Sequence, residues 1–184
     1  MLVPGYYVTK TEIVVELGEE HCTSEDLAYF SSKVFADEYA EDYVRTILDY
    51  GYPSFFGNSL MPILSNDGWY EISDETNTRF IRICIEHRSL ENGQLIPDAG
   101  YRIVKVYSNG TRVLAEEEVG YCKSMYAAEH FTKSIANKII SQREKFFGTS
   151  RDLYYDEYSH TIKDPHSSKV IYFDIYPDAD EPAM

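Results

Sequence analysis

The chain has 184 residues, a formal net charge of −14 at pH 7 and a hydrophobic fraction of 43 %. This length and apolar content are those of a globular protein with a sizeable core, which excludes general disorder. The charge disfavours nucleic acid and anionic membranes as tight partners, because like charges repel, and it favours basic protein surfaces.

Acidic residues are concentrated at the start of the chain. The first fifty residues hold eleven acids against three bases, a local charge of −8. Tyrosine is also abundant, with 17 copies against nine Phe and one Trp. Its ring is apolar and its tip is polar, which suits half-exposed sheet faces as well as protein interfaces. The composition therefore indicates what type of surface the protein has, but it does not indicate a catalytic activity.

The three cysteines, Cys22, Cys84 and Cys122, are far apart and form no CxxC pair. This spacing favours neither a zinc ribbon nor a disulfide framework, so no metal and no cofactor are expected. Residues 1–17 lack the basic and apolar regions of a signal peptide, and no apolar run is long enough to span a bilayer. These features predict a cytoplasmic protein with no membrane association.

The first half of the chain reads as a strand followed by a helix. Alternation from Tyr6 to Leu17 predicts a half-buried strand. Thr23 is expected to cap a kinked helix, or two consecutive helices, ending before Gly51. The irregular apolar segment 51–68 is expected to pack as a lid on the core, and the alternative is an exposed loop that binds a partner.

A meander of strands comes next, centred on an Asn-Gly dipeptide. Asn109-Gly110 between two strand patterns is a strong signal for a two-residue type I′ hairpin turn. That turn predicts three cross-strand pairs: Val106 with Val113, Val104 with Ala115, and Arg102 with Glu117. The predicted strands are Trp69–Ser73, Arg79–Arg88, Tyr101–Tyr107 and Arg112–Tyr121.

The last third contains a second helix and a final strand. Ser124 is expected to cap a helix that runs to about Phe147, and alternation predicts a strand at Val170–Tyr176. Residues 177–184 form an acidic tail that is expected to be flexible. No internal repeat is evident. The predicted fold is α+β, one domain over residues 1–176, with a mainly antiparallel sheet of about 5–6 strands and two principal helices packed on it.

The first predicted helix carries the leading candidate for a partner-binding surface. Acids at i,i+3 and i,i+4 destabilise a helix by a few tenths of a kcal/mol per pair, roughly, so stability does not explain them. Carboxylates one turn apart resemble phosphates along a nucleic-acid strand, although an ordinary solvated face has the same pattern. The candidate residues are Asp37, Glu38, Glu41, Asp42 and Asp49, with the interleaved aromatics Tyr39, Tyr43 and Tyr50.

Two further residue sets suggest other chemistry. The second helix is locally basic and is expected to give at most weak binding of nucleic acid. A late polar loop, residues 156–166, is the candidate for a metal-dependent hydrolase or nuclease, although its histidines lack the spacing of a defined ligand set. The basic set is Lys133, Lys138, Arg143 and Lys145, and the loop set is Asp156, His160, Asp164 and His166.

No nucleophile elbow, P-loop, dinucleotide fingerprint or HExxH motif is present. A small, acidic, Tyr-rich α+β chain of this kind resembles, in composition alone, phage inhibitors of bacterial defence nucleases, including anti-CRISPR proteins, and immunity proteins that neutralise nuclease toxins. The resemblance implies a non-enzymatic inhibitor that occupies the basic surface of a nucleic-acid-handling protein. The alternatives are the hydrolase or nuclease and a structural protein that assembles through segment 51–68.

Overall fold

The computed structural model describes residues 5–57, 64–66, 69–88 and 100–177. The chain divides into two compact units, residues 1–94 and residues 95–184. Parts of the apolar segment 51–68 and the tail after residue 177 lie outside the described residues. The prediction of one domain over residues 1–176 stays a prediction.

The first unit combines an antiparallel sheet with one long helix. The five strands in its described residues occur in the order β3-β4-β5-β1-β2, and their pairings are antiparallel. Helix α1 contacts β1, β2 and β5. The elements are β1 (Gly5–Glu16), β2 (Glu19–Phe30), α1 (Lys33–Tyr50), α2 (Pro53–Phe56), β3 (Leu64–Asn66), β4 (Trp69–Ser73) and β5 (Arg79–Arg88).

The second unit has the same plan. Over residues 100–177 its five strands occur in the order β8-β9-β10-β6-β7, again with antiparallel pairings. Helix α3 contacts all five of these strands. The elements are β6 (Tyr101–Asn109), β7 (Arg112–Cys122), α3 (Met125–Gln142), one 3-10 turn (Lys145–Phe147), β8 (Tyr154–Asp156), β9 (Thr161–Lys163) and β10 (Lys169–Pro177).

The two units repeat each other element by element. Each starts with a hairpin and continues with an 18-residue helix, a single helical turn, two short strands and a long strand that pairs with the first. Both long helices have a serine N-cap: the Ser32 side chain accepts from the Phe35 N–H and the Ser124 side chain from the Ala127 N–H. The expectation of no internal repeat is therefore wrong at the level of structure.

The same tertiary contact also recurs after each helix. The Arg79 guanidinium donates to the carbonyl oxygen of Phe55 and lies over its ring. In the second unit the Lys169 ammonium donates to the carbonyl oxygen of Phe146, at 2.8 Å, and lies over that ring. A cation at the start of the last long strand thus fixes the helical turn in both units.

Each unit buries one lysine at a matching position in its first strand. Lys10 and Lys105 are only 6 % and 7 % exposed. The Lys10 ammonium lies 2.7 Å from Glu25 and 2.9 Å from Glu12, while the Lys105 ammonium lies 2.7 Å from Glu117. Burial alone would lower the pKa of both lysines, but these carboxylates outweigh it and raise the pKa. Both lysines therefore stay charged.

The expected sheet of about 5–6 strands is wrong, because the described residues contain ten strands. The largest single error lies in residues 19–30, which form strand β2 and not the start of a helix capped by Thr23. Helix α1 begins at Lys33. The side chains from Glu19 to Glu25 are all exposed, so β2 has no apolar alternation there and is held by its backbone pairing with β1.

The central hairpin of the second unit has a different turn from the predicted one. Asn109 pairs with Arg112, so the two turn residues are Gly110 and Thr111. Gly110 has the expected positive φ, +64°, whereas Asn109 does not. A glycine at the first turn position is the preference of a type II′ turn and not of type I′.

The predicted register of this hairpin is wrong as well. Two β-bulges, one after Ile103 and one after Tyr107, displace the pairing, and no alternation pattern reveals them. Val104 and Val106 line a pocket on the face opposite Tyr107, the residue that contacts the segment after α3. The observed pairs are Val106 with Glu116, Val104 with Glu118 and Arg102 with Tyr121, in place of the predicted Val113, Ala115 and Glu117.

Candidate functional site

Helix α1 presents the predicted acidic residues on its outer side. Asp37 forms an i,i+4 ion pair with Lys33, with 3.0 Å between Lys33 Nζ and Asp37 Oδ2. Glu41 lies beside Tyr70 of β4. Burial raises the pKa of Tyr70, and the charges of Glu41 and Asp37 raise it further. Asp49 is exposed and has no ion pair within the described residues, and Glu38 and Asp42 are half-exposed.

The three tyrosines of α1 separate into different environments. Tyr39 is buried and packs against Phe30, with ring centroids 5.2 Å apart. Tyr43 is half-buried, stacks on Tyr39 and has its pKa raised by burial. Tyr50 is 82 % exposed at the end of the helix. The ring of Tyr39 faces the core and is therefore not accessible to a partner, unlike that of Tyr50.

A second acidic surface, which the sequence did not single out, lies at the tip of the β1–β2 hairpin. Glu16, Glu19 and Glu20 are exposed around the turn, and none has an ion-pair partner among the residues that the structure describes. The turn residue Leu17 is fully exposed and has a φ of +53°. Residues 24–30 of strand β2 were expected to be helical, so no β1–β2 hairpin was predicted here.

The bases of the first unit do not neutralise these acids. Residues 1–94 carry 17 acidic and six basic side chains. Four of the six bases already pair with carboxylates of this unit, and Arg79 is held by Phe55. Arg45 is the exception on the acidic side of α1, since it is exposed and unpaired within the described residues. The paired bases are Lys10, Lys33, Arg82 and Arg88.

The four basic residues predicted to touch nucleic acid do not form one patch. Lys133 lies near the middle of α3 and pairs with Glu157 at 2.7 Å. Lys138 is five residues further on, which places it about 140° around the helix. Arg143 caps the helix in a left-handed conformation, and Lys145 lies in the following 3-10 turn.

The His/Asp set of the late loop is divided among separate partners. Tyr155 and His160 share a hydrogen bond of 3.0 Å between Oη and Nδ1, and His166 Nε2 lies 2.7 Å from Asp152. The other two members are similarly engaged, Asp156 by Lys163 and Asp164 by Ser150 and Ser167. No group of three His, Cys, Asp or Glu side chains in the described ranges is arranged to hold a metal ion.

A Tyr-rich cleft of the second unit lies between the first half of α3 and the β8–β9 hairpin. Its volume is about 880 Å³. The helix contributes residues at i, i+3, i+4 and i+7, which share one face. The hairpin contributes three tyrosines and neighbouring polar groups. The lining residues are Tyr126, Glu129, His130, Lys133, Tyr154, Tyr155, Asp156, Glu157, Tyr158 and His160.

Two of the three carboxylates that line this cleft are neutralised by lysines, one in the cleft and one outside it. Glu157 is paired with Lys133, and Asp156 with Lys163, each at 2.7 Å. The hydrogen bond from Lys163 lowers the pKa of Asp156 to about 2, so this carboxylate is charged at neutral pH. Burial raises the pKa of Tyr155, and the charges of Glu157 and Glu129 add to the effect, so its hydroxyl stays protonated.

The sequence did contain a signal for this cleft. Tyr126, Glu129 and His130 lie on the solvent side of a helix whose apolar stripe was recognised, and two further tyrosines stand together at Tyr154-Tyr155. The sequence did not predict the β8–β9 hairpin, which places Tyr154 and Tyr155 beside these residues of α3. The strands β8 and β9 have only three residues each, too few to show a period.

None of the described helices is both long and apolar enough to cross a membrane. No family model matches the chain, and comparisons with curated proteins and with solved structures give no match. A function for this protein is therefore inferred from the charges, burial and geometry of its own residues.

Proposed function

We propose that this protein is a non-enzymatic, cytoplasmic binding protein that inhibits a nucleic-acid-handling protein by occupying its basic surface. The observation that supports this most is the charge balance of the first unit, whose bases are largely engaged while acids remain exposed on α1 and at the β1–β2 tip. Phage anti-defence proteins, including anti-CRISPR proteins, and nuclease-immunity proteins are the functional classes that this proposal fits.

Binding would begin with long-range attraction between the acidic unit and a cationic groove. Such attraction accelerates association and decreases with ionic strength. On contact, Asp49 and the half-exposed acids Glu38 and Asp42 would accept charge-assisted hydrogen bonds from arginine and lysine side chains. Tyr50, beside Asp49, offers a ring on which an arginine can stack. The groove would then be closed to nucleic acid.

The proposal can be tested by capture followed by displacement. The tagged protein is used to isolate partners from a bacterial lysate, and each captured protein is identified by mass spectrometry. A fluorescent oligonucleotide bound to the purified partner should be displaced by one equivalent of this protein. Displacement should weaken as salt is raised from 50 to about 300 mM, because the screening length shortens below ~10 Å. A partner that keeps its oligonucleotide would contradict the proposal.

Two double variants distinguish a local surface from net charge. Glu38→Lys with Asp42→Lys changes α1, and Glu75→Lys with Glu116→Lys makes the same change of charge at exposed positions elsewhere. Only the first variant should abolish displacement if α1 is the contact. Equal loss in both would mean that overall charge suffices, and no loss in either would exclude the acidic surface.

A further inference from the structure

The Tyr-rich cleft of the second unit has one carboxylate that no side chain in the described part of the chain neutralises. Asp156 and Glu157 have lysine partners, whereas Glu129 is exposed and has neither a hydrogen bond nor an ion pair with the described residues. Its charge nevertheless reaches the hydroxyl of Tyr155, because it contributes to that group's raised pKa. The cleft therefore has a net negative charge available to a ligand.

Aromatic rings surround this carboxylate and are open to solvent. Tyr126 is 73 % exposed and Tyr158 is fully exposed. Tyr126 is stacked on His130, with ring centroids 6.1 Å apart and an interplanar angle of 30°. Such a stack favours one orientation of the tyrosine ring, most of which is open to solvent. The negative face of a tyrosine ring attracts cations, and arginine is its commonest partner in proteins.

We propose that this cleft binds the guanidinium group of an arginine side chain presented by another protein. The planar guanidinium stacks on the ring of Tyr126 and donates hydrogen bonds to the carboxylate of Glu129. A lysine ammonium is more strongly hydrated and cannot stack, so it fits less well. A nucleotide would bring its phosphate towards Glu129, which disfavours it. The site lies in the second unit and does not depend on the acidic residues of α1.

Short capped peptides test the site without knowledge of the partner. The probe is acetyl-Gly-Arg-Gly-amide, titrated into the ¹⁵N-labelled full-length protein and followed by amide chemical shifts. The matched ligand is the same peptide with citrulline, which has the same shape and no charge. We expect saturable shifts in the first turns of α3 and in the β8–β9 hairpin, and an affinity at least about tenfold lower for citrulline.

Variants assign the binding to the two named side chains. Glu129→Gln and Tyr126→Leu should each weaken arginine binding by about fivefold or more. Glu75→Gln and Tyr176→Leu, which change exposed residues outside the cleft, should leave it unaltered. Equal binding of arginine and citrulline, unaltered binding in Glu129→Gln, or a stronger response of the same amides to a short oligonucleotide would each overturn the proposal. None of these outcomes bears on the acidic surface of α1.

Discussion

The two units of this protein share a scaffold and differ in surface. Both have the same order of strands, the same serine-capped helix and the same buried lysine. The first unit carries 17 acids and six bases, whereas residues 95–184 carry 14 acids and 11 bases. The repeated features are those that fix backbone and core, and the differences lie where side chains meet solvent.

The long helices show this most directly. When Ser32 is matched with Ser124, the buried positions agree, as Ala36 with Ala128 and Ile47 with Ile139. The exposed positions differ. The acidic residues of α1 align with residues of mixed charge on the face of α3 that lines the Tyr-rich cleft. The coinciding pairs are Asp37 with Glu129, Glu38 with His130, and Glu41 with Lys133. The same helix face therefore has a different chemistry in each unit, which is why we propose different ligands for them.

The buried lysines give the largest expected effect. Lys10→Ala should reduce the free energy of unfolding by about 3 kcal/mol and Lys105→Ala by about 2 kcal/mol, since each removes a buried cation and leaves carboxylates behind. Lys10→Ala should have the larger effect on the free energy of unfolding, because the ammonium of Lys10 has three partners within 3.2 Å. These are Glu12, Glu25 and Tyr52.

Urea denaturation of both variants measures the difference. Lys→Met at each position is the control, because it restores apolar volume and should recover at least about half of the loss. If Lys105→Ala proved the more damaging of the two, the ammonium contacts of Lys10 would not be what stabilises the first unit.

Substitution of either of two matched glycines should have an effect similar to that of Lys105→Ala and smaller than that of Lys10→Ala. A Cβ at Gly5 would lie 2.5 Å from the Phe30 carbonyl oxygen, and one at Gly100 would lie 2.6 Å from that of Cys122. Each contact involves backbone that cannot move freely, so Gly5→Ala and Gly100→Ala should each cost about 2 kcal/mol. Thermal unfolding checks this. A loss at one glycine alone would show that the two units differ at this position despite their common plan.

Strands with a clear alternation of apolar residues were predicted correctly, and most strands without it were missed. Strands β4 and β5 have the bounds that the sequence predicts, and in β5 three isoleucines occupy every second position. Strand β2 was missed because its exposed half has no such alternation. For the same reason Ser124 was predicted as a helix cap and Ser32 was not. Ser124 follows a strand that was predicted, whereas Ser32 follows β2, which was not.

The repeat was also readable in principle. Phe55-Phe56-Gly57 recurs as Phe146-Phe147-Gly148, and Ile72-x-Asp74 recurs as Ile162-x-Asp164. The spacing between matched residues decreases from 95 at Lys10 and Lys105 to 90 at Asp74 and Asp164, so a comparison at a fixed period does not detect it. The candidate sites were less predictable than the fold, because each depends on which helix face meets which hairpin.

The two hairpin turns give the smallest effect and the most direct comparison of turn chemistry. The β1–β2 turn has positive φ at both residues, +53° at Leu17 and +84° at Gly18, as a type I′ turn requires. The β6–β7 turn has positive φ only at Gly110. A leucine in the left-handed region is strained by about 1 kcal/mol or more, whereas asparagine tolerates it. Since Leu17 is fully exposed, its replacement loses no packing.

Leu17→Asn should therefore stabilise the protein by about 0.5–1 kcal/mol, measured as a higher urea midpoint with an unchanged slope. Thr111→Asn is the matched control in the other turn, where φ is not positive and no gain is expected. A gain at both positions would mean that asparagine acts through the unfolded chain and not through turn strain. If Leu17→Asn instead weakens binding to the captured partner while raising stability, the strained leucine is a contact at the acidic tip and the first unit binds through its hairpin as well as through α1.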